Sequence, residues 1–168
     1  MSTLFVDTIN EKTSGNGVQI PGHVLQVVHT TMTTNTTISS SSFAAITGAS
    51  LAITPKSSSS KILISWCNHV YVDSDPANNW KGMLVRLKRG STVLSTDGTG
   101  YGEGANFGAD NDRYMTYSSS IYLDSPSTTS ATTYSLEAAS KYNGGNGVKI
   151  NNSGYGRGGT ITLMEIAQ

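Results

Sequence analysis

Lys61-Ile62-Leu63-Ile64-Ser65-Trp66-Cys67-Asn68-His69-Val70-Tyr71-Val72 is the stretch on which the fold turns. Ile62, Ile64 and Trp66 alternate with Leu63, Ser65 and Cys67, and Val70 and Val72 extend the run. A strand sends successive side chains to opposite faces, so this period of two marks a strand with one face committed to a core. The same pattern recurs along the chain. Met83, Val85 and Leu87 alternate with Leu84, Arg86 and Lys88, and Tyr134, Leu136 and Ala138 alternate with Ser135, Glu137 and Ala139. Ile161, Leu163 and Glu165 interleave with Thr162, Met164 and Ile166. Strands are expected near 24–33, 49–54, 61–72, 82–89, 113–123, 132–141, 147–151 and 159–167. Between them stand turn pairs such as Gly90-Ser91, Asp97-Gly98, Gly144-Gly145 and Asn146-Gly147. Only Ser42 to Ala49 offers a turn or two of helix. Such short strands joined by polar, Gly-rich turns predict an all-β, antiparallel β-sandwich of jelly-roll type.

The composition supports this class. Ser (24), Thr (21), Gly (18) and Asn (12) supply 75 of the 168 residues. Disorder would need few apolar and aromatic residues, whereas 36% of this chain is apolar and eight residues are Tyr. The small polar residues are therefore read as turns and outward strand faces. Lys and Arg (11) balance Asp and Glu (11), which removes the long-range attraction to phosphate on which nucleic-acid binding depends. No basic amphipathic face and no long apolar run suggests membrane insertion. Met1 to Asp7 lacks the basic start and apolar stretch of a signal peptide. Cys67 is the one cysteine, and beside Trp66 it reads as a buried, inert thiol.

Chemistry is sparse. His23, His29 and His69 are dispersed, and no paired Cys or His stands at metal-ligand spacing. Asp73, Asp75, Asp110 and Asp112 have no EF-hand spacing and read as turn formers, so neither a metal nor a cofactor is expected. With no acid–base pair or nucleophile at useful spacing, the chain reads as a non-enzyme. What remains is aromatic placement. Trp80 follows Asn78-Asn79, and Tyr101 and Phe107 lie in the long 95–112 segment. An aromatic ring beside Asn and Asp suits stacking on a sugar, so Trp80, Tyr101 and Phe107 are candidate contacts to a glycan or receptor.

Residues 1–22 read as a separate attachment segment ahead of a domain at 23–168. Val6 and Ile9 precede Ser14-Gly15-Asn16-Gly17, and Val18 and Ile20 follow. An isolated hairpin is marginal in water. Val6, Ile9, Val18 and Ile20 are therefore candidate attachment residues, packing on the domain, on a neighbouring copy or on another protein.

Several stretches carry a resemblance to a known family. They are Val6-Asp7-Thr8-Ile9-Asn10-Glu11-Lys12-Thr13-Ser14-Gly15-Asn16-Gly17-Val18-Gln19-Ile20, then His23-Val24-Leu25-Gln26-Val27-Val28, and Ile53-Thr54-Pro55-Lys56 with Ser58-Ser59-Ser60-Lys61-Ile62-Leu63-Ile64. Val85-Arg86-Leu87-Lys88-Arg89-Gly90-Ser91 and the closing Thr160-Ile161-Thr162-Leu163-Met164-Glu165-Ile166-Ala167 complete the set. In order and spacing they resemble tailed-bacteriophage virion structural proteins of the fibre-tip and head-decoration type. The resemblance implies a jelly-roll domain that forms a homotrimer, is assembled in the host bacterial cytoplasm and resides in the virion. Its partners would be its own copies and other virion proteins of the capsid, tail or fibre. With one short fibre-like element, the chain fits a knob, a small appendage or a capsid decoration rather than a long shaft.

Self-association also has a physical basis, because open sheet edges need cover and cyclic symmetry lets identical copies supply it. Leu63, Leu84, Met164 and Ile166, displaced from clean alternation, are candidates for that contact. The competing reading is a carbohydrate-binding module that recognises host surface glycan through its loops.

Overall fold

The computed structural model describes residues 6–10, 18, 20–72, 80–95, 107–108, 114–140, 147–151 and 158–168. Its strands are β1 (Val24–Met32), β2 (Thr36–Ile38), β3 (Ala44–Ile53), β4 (Lys61–Val72), β5 (Trp80–Lys81) and β6 (Met83–Arg89). The remainder are β7 (Thr92–Val93), β8 (Phe107–Gly108), β9 (Tyr114–Asp124), β10 (Thr132–Ser140), β11 (Val148–Ile150) and β12 (Gly159–Ile166). Among the described residues there is no helix.

Two antiparallel sheets stack as a β-sandwich. A six-stranded sheet runs β1-β12-β4-β11-β2, with β9 on the other side of β4, and a four-stranded sheet runs β3-β10-β6-β7. The long β4 is the spine of the first sheet. Its first half pairs with β12, from Lys61–Ile166 to Cys67–Thr160. Its last residues pair with β11, and its whole length pairs with β9 from Ile62–Asp124 to Val72–Tyr114. The core between the sheets takes Ile62, Ile64, Trp66 and Val70 from β4, and Ile161 and Leu163 from β12. Val85, Leu87, Tyr134, Leu136 and Ile46 meet them from the four-stranded sheet. The alternation that marks these strands in the sequence is the alternation of their burial.

Each of the eight expected strands corresponds to an observed one, and one stretch needs correction. Ser42 to Ala49 is no helical turn, because β3 begins at Ala44. The pairing of β3 with β10 shifts register between Ser135 and Glu137, and Gly48 sits at the bulge with a φ of +80°. Across that shift β3 has the four residues 46–49 where β10 has only Leu136, so the alternation breaks and the buried positions fall at Ile46 and Ala49. That three-residue step imitates the i, i+3 spacing of a helix face. The short β2, β5, β7 and β8 were not expected.

Two buried carboxylates fix the ends of the sandwich. Asp124, at the inner end of β9, accepts hydrogen bonds from Arg89 Nη1 at 2.9 and 2.8 Å and from the Tyr134 hydroxyl at 2.7 Å. It thereby ties the six-stranded sheet to β6 and β10. Burial and the adjoining Asp124 carboxylate push the Tyr134 hydroxyl far above its ordinary pKa. At the other site Glu165, fully buried on β12, accepts from Gln26 Nε2 at 2.6 Å and from the backbone N–H of Lys56 at 2.7 Å and Ser57 at 3.3 Å. That carboxylate holds the turn between β3 and β4. The chain joins the sandwich from Gly22 onward, where the Gly22 N–H donates to the Ala167 carbonyl and the Ala167 N–H donates to the His23 carbonyl, both at 2.9 Å.

Candidate interaction surface

The outer face of the six-stranded sheet carries the most unusual chemistry among the described residues. Side chains that point away from the core come from β1 (Val27, His29, Thr31), β12 (Thr160, Thr162, Met164, Ile166), β4 (Leu63, Ser65, Cys67) and β9 (Met115, Tyr117, Ser119, Ile121, Leu123). Val27 pairs with Met164, Met164 with Leu63, and Leu63 with Leu123. One row of four apolar side chains therefore crosses all four strands in register. Beside it Ile121 and Tyr117 continue the apolar stripe down β9. Ile121 is 60% exposed, Val27 and Tyr117 55%, Leu123 50% and Met115 43%. Charge reaches only the margins of this face among the described residues, as Lys61 at the start of β4 and Lys149 on β11. Lys149 Nζ lies 5.5 Å from the centre of the Tyr71 ring.

Contiguous apolar exposure of this kind makes this face the candidate interaction surface. The sheet is built for it locally. β9 alternates Met115, Tyr117, Ile121 and Leu123 with Thr116, Ser118 and Ser120, but here the large residues face outward while Thr116, Ser118 and Ser120 are half-buried on the inner side. Hydroxyl side chains on the inner side leave β9 weakly committed to the core, so its apolar side is available to a partner.

The opposite surface is chemically distinct. On the four-stranded sheet Glu137 accepts from Arg86 Nε at 2.7 Å and from Lys88 Nζ at 3.0 Å. The Arg86 guanidinium also covers the Phe43 ring at 4.2 Å, a cation–π contact that hides the aromatic face. Burial pushes the Glu137 carboxyl up, but Lys88 and Arg86 outweigh it and hold the group below the usual carboxylate range.

The sequence candidates distribute unevenly over this frame. Leu63, Met164 and Ile166 do share the outer face of the six-stranded sheet, whereas Leu84 lies on the four-stranded sheet beside Ala139. Trp80 and Phe107 lie on the two strands of one short ribbon without pairing with each other: β5 and β8 set Trp80 opposite Gly108 and Lys81 opposite Phe107. Tyr101 lies outside the described residues, as do Asp73, Asp75, Asp110 and Asp112. Of the attachment residues, Val6 is 50% exposed, Ile9 57% and Ile20 40%, and Val18 is half-buried. The turn at Ser14 to Gly17 lies outside the described residues.

Cys67 is half-buried on the outer face rather than buried in the core, and burial raises its thiol pKa. His69 is fully buried, its ring edge-on to Tyr117 at 5.5 Å. His29, exposed, shares a 2.9 Å hydrogen bond with the Thr162 hydroxyl. Among the described residues, no group of three His, Cys, Asp or Glu side chains is placed to hold a metal ion. The apolar side of β9 was missed in the sequence, although its alternation is plain there. Alternation gives two faces without saying which one turns inward.

No protein-family model matches the chain, and neither does any curated protein. Among solved structures it is similar to a chain described under "Crystal structure of the T13 IBDV viral particle reveals a missing link in icosahedral viruses evolution". The likeness has a TM-score of 0.43 at 14% identity, and covers 84% of this chain but 36% of that one.

Proposed function

We propose that this chain is a non-enzymatic bacteriophage virion structural protein, a trimeric β-jelly-roll fixed to a larger phage assembly through its N-terminal segment. The observation that carries this reading is the uncovered apolar outer face of β1, β12, β4 and β9. Val24, Val27, Met115, Tyr117, Ile121 and Leu123 are each about half exposed there, and covering such a side chain is worth roughly 1 kcal/mol. The gross gain per copy is then comparable with the ~4–15 kcal/mol that association costs. Such a face yields a specific but moderate contact, suited to repetition within a particle. Low charge serves the same end, since identical copies meet without repulsion. The order of the virion-like sequence stretches supports the phage assignment, with the copy seated as a knob, a small appendage or a capsid decoration.

Light scattering on the purified chain tests the reading. The expected mass is that of three chains, and a monomer at every accessible concentration overturns it. Deleting residues 1–20 is expected to leave a folded trimer that no longer enters the particle. Normal incorporation of the deleted chain overturns the attachment role.

A second reading has one observation in its favour. The β5–β8 ribbon sets the backbones of Trp80 and Phe107 in neighbouring cross-strand pairs from positions far apart in sequence, and an aromatic ring is a surface on which a sugar can stack. A glycan array on the intact protein checks it, with Trp80→Ala expected to abolish any signal. A signal that Trp80→Ala leaves unchanged removes the ribbon as its source.

A further inference from the structure

We infer that β9 is the seat of a two-fold contact, in which a second copy of this chain adds its own β9 antiparallel to the first and joins two six-stranded sheets into one. Natural sheets blunt their edges with bulges, short strands, prolines or charge. The other edges here show such devices. β1 shifts register between Val24 and Gln26, and β3 is bulged at Gly48. β2 has three residues and β7 two. β9 has none of them. Its pairing to β4 runs without a shift from Tyr114 to Asp124, and no proline or charged residue falls between Tyr114 and Leu123. Among the described residues, β9 pairs with β4 alone.

The sequence of β9 identifies the occupant. Read outward from Ser119, the strand repeats its pattern in both directions: Ser118 and Ser120, then large side chains Tyr117 and Ile121, then the hydroxyl-bearing Thr116 and Tyr122, which differ in size, then Met115 and Leu123. In an antiparallel pair centred on Ser119 these become cross-strand partners. Because the register preserves the two faces, Tyr117 meets Ile121 and Met115 meets Leu123 on the exposed side, while the hydroxyl residues meet on the inner side. Aromatic–aliphatic pairs of this kind each add a fraction of a kcal/mol. The Val27–Met164–Leu63–Leu123 row of one copy then continues into Met115 of the other. A partner without this symmetry would not match both halves of the strand.

The size of the contact sets its strength. An 11-residue strand is ~36 Å long, and with a sheet ~10 Å thick its edge covers about 360 Å² per copy. A standard interface takes ~800 Å² per partner, so the pairing is weak in dilute solution and is favoured by the high local concentration inside an assembly. The pairing forms on the backbone edge of β9, while Met115, Tyr117, Ile121 and Leu123 also belong to the outer face proposed for the trimer; trapping at Ser119 separates the two contacts.

Disulfide trapping tests this contact. Ser119→Cys is made together with Cys67→Ser, because Cys67 lies opposite Ser119 within the same chain. Mild oxidation of the full chain is expected to give a covalent pair whose yield rises with concentration. Thr31→Cys with Cys67→Ser, on the outer face at the far edge, is the control. Adding Tyr117→Lys and Ile121→Lys to the trapping variant sets lysines opposite one another and is expected to lower the yield at least about tenfold, the equivalent of ~1.4 kcal/mol. A Ser119→Cys yield no higher than the Thr31→Cys control overturns the two-fold contact. A trapped pair in a chain that scatters as a dimer, with no species of three chains or a multiple of three, upholds it while overturning the three-fold reading.

Discussion

The two outer faces of this sandwich are made from strands of the same kind, yet they solve opposite problems. On the four-stranded sheet, Arg86, Lys88 and Glu137 form a closed set of ion pairs, and Arg86 shields Phe43. On the six-stranded sheet, Val27, Met164, Leu63 and Leu123 form an open row with charge only at the rim. The first face is finished in water. The second leaves large apolar side chains against water. The core gives no reason for the difference, since both sheets bury Ile, Leu and Val against each other. The difference is in the outward-facing residues, and it is the difference on which the proposed contact rests.

The comparison assumes that the two sheets stand or fall together, and Asp124 offers the strongest way to break it. Asp124→Ala leaves the Arg89 guanidinium and the buried Tyr134 hydroxyl without their shared acceptor. Arg89 keeps 29% of its side chain exposed, so the loss falls below that of a fully buried pair, at about 2–3 kcal/mol, and urea unfolding is expected to move to lower denaturant in one cooperative step. Tyr134→Phe, which keeps the Asp124–Arg89 pair, should cost only about 1 kcal/mol. Equal losses in the two variants would mean that Asp124 does not link the sheets.

Met164→Lys addresses the open face directly. It places a charge at the centre of the apolar row, on a side chain already half in solvent. Covering that charge is expected to weaken association by roughly 3 kcal/mol, about a hundredfold, with folding stability changed by about 0.5 kcal/mol or less. Sedimentation against concentration and urea unfolding of the same variant give the two numbers. A variant that loses stability but associates normally would make the row an ordinary part of the fold.

How much of this contrast could be read without a structure varied from strand to strand. β4, β6, β10 and β12 were legible because their buried positions keep a strict period of two over seven or more residues. The first half of β3 was not, since the bulge at Gly48 places Ile46 and Ala49 three residues apart. Leu63, Met164 and Ile166 were legible as misfits, but parity says nothing about which sheet a strand joins, so Leu84 was grouped with them. β9 is the most instructive case. Its apolar side looks like any core-facing stripe, and only pairing to β4, whose inner face is Ile62, Ile64 and Trp66, turns it outward. The pairing of β5 with β8 was equally hidden, because it joins residues far apart in the chain.

Glu137 gives the smallest effect and the sharpest contrast between the faces. Its folded pKa lies below the ordinary carboxylate value because Lys88 and Arg86 outweigh the effect of burial. A carboxyl lowered in this way contributes stability that is present above the unfolded value of ~4.3 and lost as the pH falls through the lower folded value. Glu137→Gln removes the charge but keeps most of the volume and one acceptor. At neutral pH it is expected to cost about 1 kcal/mol, which in a chain of this size lowers the melting temperature by roughly 2–4 °C. Below the carboxylate range the variant and the parent should converge. Association should be unchanged throughout, because the group sits on the face that needs no partner. A shift in sedimentation for Glu137→Gln would show instead that both faces take part in contact, and the division between a solvated side and a covered side would then be the wrong description of this molecule.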